Sequence, residues 1–145
     1  MRLRLALPAT VVLAAGLTAC GGSSGSTTSG PCSANGSTVD VYAVDGIAWN
    51  AGSYCAESAD GQVTINGFNN SSLPHNLHVQ DSSGAAVTEQ FVDLPSRGAE
   101  GTLTLSLAPG EYRILCLIPG HSNMKATLTV TEPGAAADAS TTTGA

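Results

Sequence analysis

Apolar and polar side chains alternate with a period of two along much of this chain. Val39, Val41 and Ala43 are separated by Asp40 and Tyr42, and Leu103, Leu105 and Leu107 by Thr104 and Ser106. Tyr112, Ile114 and Cys116 share one face against Arg113 and Leu115, while Ala126, Leu128 and Val130 alternate with threonines. Successive side chains of a strand point to opposite faces, so each run predicts a strand with one side in a core and the other toward water. Asp60-Gly61 introduces Gln62–Ile65 as a further strand, and Pro109-Gly110 separates two of the clearest strands by a hairpin-length turn. Between 81 and 101 the pattern fades, and only Thr88–Val92 reads as a strand. No window combines a helical period with caps. Several short strands at close spacing predict an all-β sandwich or barrel.

The ends of the chain break this pattern. Arg2 and Arg4 precede an apolar stretch from Leu5 to Leu17, too short for the ~20 residues of a membrane-spanning helix. It closes on Leu17-Thr18-Ala19-Cys20, followed by Gly21-Gly22, a quartet that resembles the bacterial lipobox. Residues 1–19 then read as a lipoprotein signal peptide and Cys20 as the acylated first residue of the mature chain. The alternatives are an ordinary secretory signal with a coincidental cysteine, or a membrane anchor. Residues 20–31 are expected to form a lipid-anchored, flexible Gly/Ser linker, 32–131 the folded domain, and 132–145 a disordered tail. The expected location is extracytoplasmic, at the bacterial cell membrane through the lipid anchor alone.

Composition narrows the function. Charged residues make up 11% of the chain, and five Lys+Arg against eleven Asp+Glu give −6. Without residues 1–19 only Arg97, Arg113 and Lys125 stand against the eleven acids, a side-chain charge of −8. Such a surface repels a phosphate backbone, which excludes nucleic acid as a partner. A monomer of ordinary domain size is expected.

The chemically costly residues cluster near strand ends. Cys116, His121 and Met124 lie within one short run, Cys116-Leu-Ile-Pro-Gly-His121-Ser-Asn-Met124, and His75 follows Pro74 at the start of another strand candidate. Taken singly, a buried Cys is an inert hydrophobe and a Met a core filler. Together, one thiolate, two imidazoles and one thioether form the soft nitrogen–sulfur set that favours copper, with two His and a Cys in a plane and a weak axial Met. His78 lies three residues beyond His75, on the opposite face of the strand and outside this set.

With Pro74-His75-Asn76, Gly110–Cys116, Pro119-Gly120-His121 and Met124–Val130 assembled, the chain resembles the cupredoxins, the plastocyanin–azurin family, across residues 37–131. The resemblance implies a Greek-key β-sandwich of about seven to eight strands. It implies one mononuclear type 1 copper held by His75, Cys116, His121 and Met124. Asn76 would hydrogen-bond across to the Cys116 loop, and Tyr112 would act as a tyrosine corner. The Cys-to-His interval matches azurin, whereas His121 to Met124 is one residue shorter. Assigning Cys20 to lipid and Cys116 to copper leaves Cys32 and Cys55, which in an exported protein most simply form a disulfide, as at the N-terminus of azurin. That bridge would close about two dozen residues and contribute roughly 3 kcal/mol.

The implied function is carriage of single electrons between redox protein partners, with Ile118, Pro119 and His121 as an apolar docking patch. No nucleophile elbow marks a hydrolase, and no second histidine set or second loop cysteine marks a multicopper or binuclear centre, so no enzyme activity is expected. Two alternatives stand: a copper storage or delivery module, and a metal-free sandwich acting in adhesion.

Overall fold

The computed structural model describes residues 36–134. The signal segment, the linker with Cys20, Cys32, and the tail beyond residue 134 lie outside the described residues. Nine strands and no helix make up the described chain: β1 (Thr38–Val44), β2 (Ala48–Trp49), β3 (Ser53–Glu57), β4 (Gln62–Asn69), β5 (His75–Asp81), β6 (Val92–Leu94), β7 (Glu100–Ser106), β8 (Gly110–Leu115) and β9 (Lys125–Thr131).

They form two packed sheets, in the orders β2-β1-β4-β7 and β3-β9-β8-β5-β6. The pairs β1/β4 and β3/β9 are parallel and the others antiparallel. A parallel pair cannot be joined by a tight turn, so the chain passes repeatedly from one sheet to the other. The alternating positions face inward as expected. Val39, Val41, Ala43, Val63, Ile65, Leu103 and Leu105 of one sheet meet Leu77, Val79, Ile114, Ala126, Leu128 and Val130 of the other. Each large aliphatic side chain so buried contributes about 1.5–3 kcal/mol. Tyr112 Oη donates to Ala108 O at 2.8 Å, bracing the turn before β8.

Four elements differ from the sequence expectation. β2 and β3 carry no strong alternation and were not anticipated; β3 is held by its parallel register with β9, Ser53 opposite Thr127. The faint strand at Thr88–Val92 is instead the three-residue β6, because the inward pair is Val92 and Leu94 with Asp93 outside. β4 runs past Ile65 to Asn69, through Gly67.

That glycine has a packing reason. Gly67 of β4 lies opposite Gly101 of β7, and the two leave the space that Val92 of β6 fills. A Cβ on Gly101 would stand 2.7 Å from Val92 Cγ1, and one on Gly67 3.1 Å from the same atom. β6 is thereby drawn against β5, where Leu94 pairs with His75. This fixes the strand that opens the candidate site.

Candidate metal centre

His75 is the first residue of β5 and is fully buried. Pro74 before it has no N–H to place in a ladder, which suits the entry to a strand. Cys116 follows the last residue of β8 and continues the inward phase of Ile114, so it too is buried. The two strands are neighbours, with His78 opposite Leu115.

His121 and Met124 come from the loop between β8 and β9. Its ends are tied by Cys116 N donating to Met124 O at 3.0 Å. Inside it, His121 N donates to Ile118 O at 3.0 Å, with Pro119 and Gly120 between and Gly120 at φ +91°. Proline at the second position and a left-handed glycine at the third define a type II turn, which accounts for Pro-Gly before the histidine. Met124 N then donates to His121 O at 2.8 Å, so a second turn presents Met124, which is buried at the same end. Asn76 joins this loop to β5 by accepting Leu117 N on Oδ1 at 2.7 Å.

These elements bring three donor groups together. One ligand atom each of His75, Cys116 and His121 lies within 4.8 Å of the others. Cys116 Sγ is 3.5 Å from His121 Nδ1, and the two imidazole centroids are 5.0 Å apart. The decisive atom is His75 Nδ1, which is buried and has no hydrogen-bond partner. Buried polar atoms are ordinarily satisfied, and a ring nitrogen left bare beside a thiol and a second imidazole fits a metal ligand. Trp49 Nε1 is also buried and unpartnered, but an indole N–H only donates and cannot ligate. Burial, and then the neighbouring His121, hold His75 below the ordinary imidazole pKa, favouring the neutral ring that a metal requires. Thiolate and imidazole are the donor set of copper or zinc rather than of hard cations.

His78 lies on the outer face of β5, stacked on Phe91 with centroids 4.6 Å apart. Ile118 is half-buried, Pro119 exposed, and His121 keeps 8% of its surface. Cys55 is half-buried on β3, whereas its expected partner Cys32 and the lipidation residue Cys20 lie outside the described residues. Sequence reasoning missed Asn69, Ser71 and Trp49. Asn69 and Ser71 are buried beside His75, and the Trp49 ring lies 6.4 Å from it. The only signal for Asn69 and Ser71 was their nearness in sequence to Pro74-His75-Asn76, and Trp49, far upstream, gave none.

Residues 38–131 match the family described as copper binding proteins, plastocyanin/azurin family. None of the curated protein sequences matches the chain significantly. Among solved structures, dithionite-reduced auracyanin of the photosynthetic bacterium Roseiflexus castenholzii is similar with a TM-score of 0.54 at 20% identity, over 66% of this chain and 97% of that one. Auracyanin B gives 0.54 at 23% identity, over 68% and 90%. An azurin (Az-iso2) of the obligate methylotroph Methylomonas sp. strain J gives 0.51 at 16%, over 66% and 98%. At these identities the structural likeness establishes the sandwich fold.

Proposed function

This chain belongs to the plastocyanin/azurin family of copper-binding proteins, and from that premise we propose that it is an exported, lipid-anchored carrier of single electrons. The observation that carries the reading is the bare, buried Nδ1 of His75 converging with Cys116 and His121. Copper bound there supplies a one-electron Cu(I)/Cu(II) couple.

The chain's own residues supply the rest. His75 and Cys116 stand on paired strands of a packed sheet, and Asn76 ties the Cys116 loop to the His75 strand. Donors held this way move little when charge changes, and hydrogen bonds around them tune the potential. Met124, buried at the same end, would be the fourth residue to hold the metal. His121 alone of the two histidines reaches the surface. Leu73 and Leu117, exposed at 42% and 51%, flank the ligands in sequence and extend the proposed docking patch of Ile118, Pro119 and His121. Electrons would enter and leave at this edge, without bond chemistry.

Export and tethering rest on the signal-like residues 1–19 and on Cys20. A Cys32–Cys55 bridge is proposed on the same grounds. Gly36 O accepts Glu57 N at 2.8 Å, so the chain enters β1 beside the end of β3 only four residues after Cys32. The partner is a redox protein, and a basic one would be steered by the acidic surface.

Adding Cu(II) to the metal-free mature domain tests the reading. An intense blue thiolate-to-copper absorption is expected, and Cys116→Ser should abolish it. A colourless wild type would refute the type 1 assignment. Reversible voltammetry should follow; copper that is bound but does not cycle would favour storage or delivery. Ile118→Lys should slow transfer to the partner without bleaching the colour, and unchanged transfer would refute the docking patch.

A further inference from the structure

His75 is gripped by a polar cluster that lies outside the metal-ligand set. Ser71, buried and four residues earlier, places its Oγ 2.7 Å from His75 Nε2. A serine hydroxyl has one proton and two lone pairs. Leu73 O lies 3.1 Å from Oγ and, being a carbonyl, can accept the hydroxyl proton. Leu73 N donates to Oγ at 3.2 Å and uses one lone pair. With the hydroxyl proton so placed, the remaining lone pair faces His75 Nε2 and the histidine brings the proton; the reverse assignment would leave an N–H on the buried, unpartnered Nδ1. An imidazole that is neutral and carries its proton on Nε2 has its free lone pair on Nδ1. Nδ1 is the buried atom without a partner.

Asn69 braces this arrangement from behind. It is fully buried and uses both ends of its amide. Its Nδ2 donates to Leu73 O at 2.8 Å and to Leu94 O at 2.9 Å, and its Oδ1 accepts Ser71 N at 2.8 Å. Leu94 is the residue that pairs with His75 in the sheet. Each member of the cluster is satisfied except the one nitrogen that faces the candidate site. A fully satisfied buried network is rigid, whereas a half-satisfied one is not.

We propose that Ser71, braced by Asn69, is a positioning residue that commits His75 to the Nε2–H tautomer and so presents Nδ1 as a ready donor before any metal arrives. This rests on the reading of His75 as a ligand. Outer-shell partners of a metal-bound histidine commonly set its tautomer and ring orientation, and their loss weakens metal binding by about 10–100-fold. Here the partner is a side-chain hydroxyl, so a single substitution removes it.

The test uses the metal-free mature domain with labelled histidine, read by long-range proton–nitrogen correlation at neutral pH. Wild type should show His75 as the Nε2–H tautomer alone, with a proton slow to exchange. Ser71→Ala deletes only Oγ from a buried site and should give mixed tautomers, with exchange at least tenfold faster. Titration with Zn(II), colourless and redox-inert, should show affinity reduced about 10–100-fold. A wild type already mixed or protonated on Nδ1 would overturn the proposal without any variant. So would a Ser71→Ala domain that keeps the single tautomer and its Zn(II) affinity, however much its melting temperature falls. If the wild type takes up no copper but Ser71→Ala still loses the tautomer, the ligand reading falls and the positioning role stands.

Discussion

Replacing Gly101 with alanine places a methyl group where Val92 already stands. The new Cβ would lie 2.7 Å from Val92 Cγ1, against the ~3.5–4.0 Å at which two carbons rest. The shortfall of about 1 Å has no easy outlet. Val92 is buried, its χ1 is restricted by branching, and on its other side Gly67 is so close that a Cβ there would lie 3.1 Å from Val92 Cγ1. Overpacking of this kind costs about 1–3 kcal/mol. For a domain of ~100 residues that is a fall of roughly 4–8 °C in melting temperature per kcal/mol. The cause is isolated by a second change. Val92→Ala removes Cγ1 and leaves its Cβ 3.8 Å from the added methyl, an ordinary contact. Alone it costs the buried methyl groups, at ~0.8 kcal/mol each plus a cavity term. In the double variant the alanine methyl at 101 occupies part of that void. The combined cost should therefore fall below the sum of the two by at least about 1 kcal/mol. Urea unfolding of the metal-free domain, followed by the fluorescence of its one tryptophan, Trp49, measures all three. A Gly101→Ala domain within about 0.5 kcal/mol of wild type, or strictly additive costs, would refute the steric account.

Three further outcomes follow from named contacts. Asn76→Ala removes the acceptor of Leu117 N and should cost about 1–3 kcal/mol in unfolding while broadening the copper-loaded spectrum; unchanged stability and spectrum would refute a bracing role. Burial pushes the Tyr54 phenol up to about 12, against the smaller opposing effect of the backbone at Ala51. Its native pKa exceeds the ordinary 10.0, so its contribution is full below pH 10 and is lost as pH rises toward 12. Ultraviolet titration should show one late phenolate that Tyr54→Phe deletes, and three tyrosines titrating together near 10 would refute this. Burial holds His78 below the ordinary 6.5, so as pH falls through 6.5 the unfolded chain takes the proton first and stability declines. Phe91, stacked on that ring, should be part of the cause. Phe91→Ala should move the His78 titration in nuclear magnetic resonance back toward 6.5, and an unmoved midpoint would exclude Phe91.

Legibility in the sequence followed burial on one face. Strands with one wet and one dry side, such as β1, β7 and β9, announce themselves through Val39-Asp40-Val41, Leu103-Thr104-Leu105 and Ala126-Thr127-Leu128. β2 and β6 are two and three residues long, too short for a period to register. β3 has Ser, Cys and Ala among its five residues, weak local evidence for a strand that its partner β9 determines. At the site, Cys116, His121 and Met124 were legible because metal-ligand chemistry is scarce and the loop is short. Asn69 and Ser71 were not. A buried asparagine and serine look in sequence like an ordinary polar turn, and only the three carbonyl and amide contacts of Asn69 explain its burial.

The hydrogen bond between Cys116 N and Met124 O has a consequence for ancestry and engineering. It turns the ligand loop into a ring closed at its base, directly above the Leu115–Lys125 pair of the β8/β9 ladder. A residue gained or lost between His121 and Met124 changes the circumference of that ring, while the ladder beneath keeps its register. The short His-to-Met interval of this chain is therefore a local variation. Replacing residues 117–123 should therefore recast the surroundings of the candidate site while the β8/β9 register beneath it is kept.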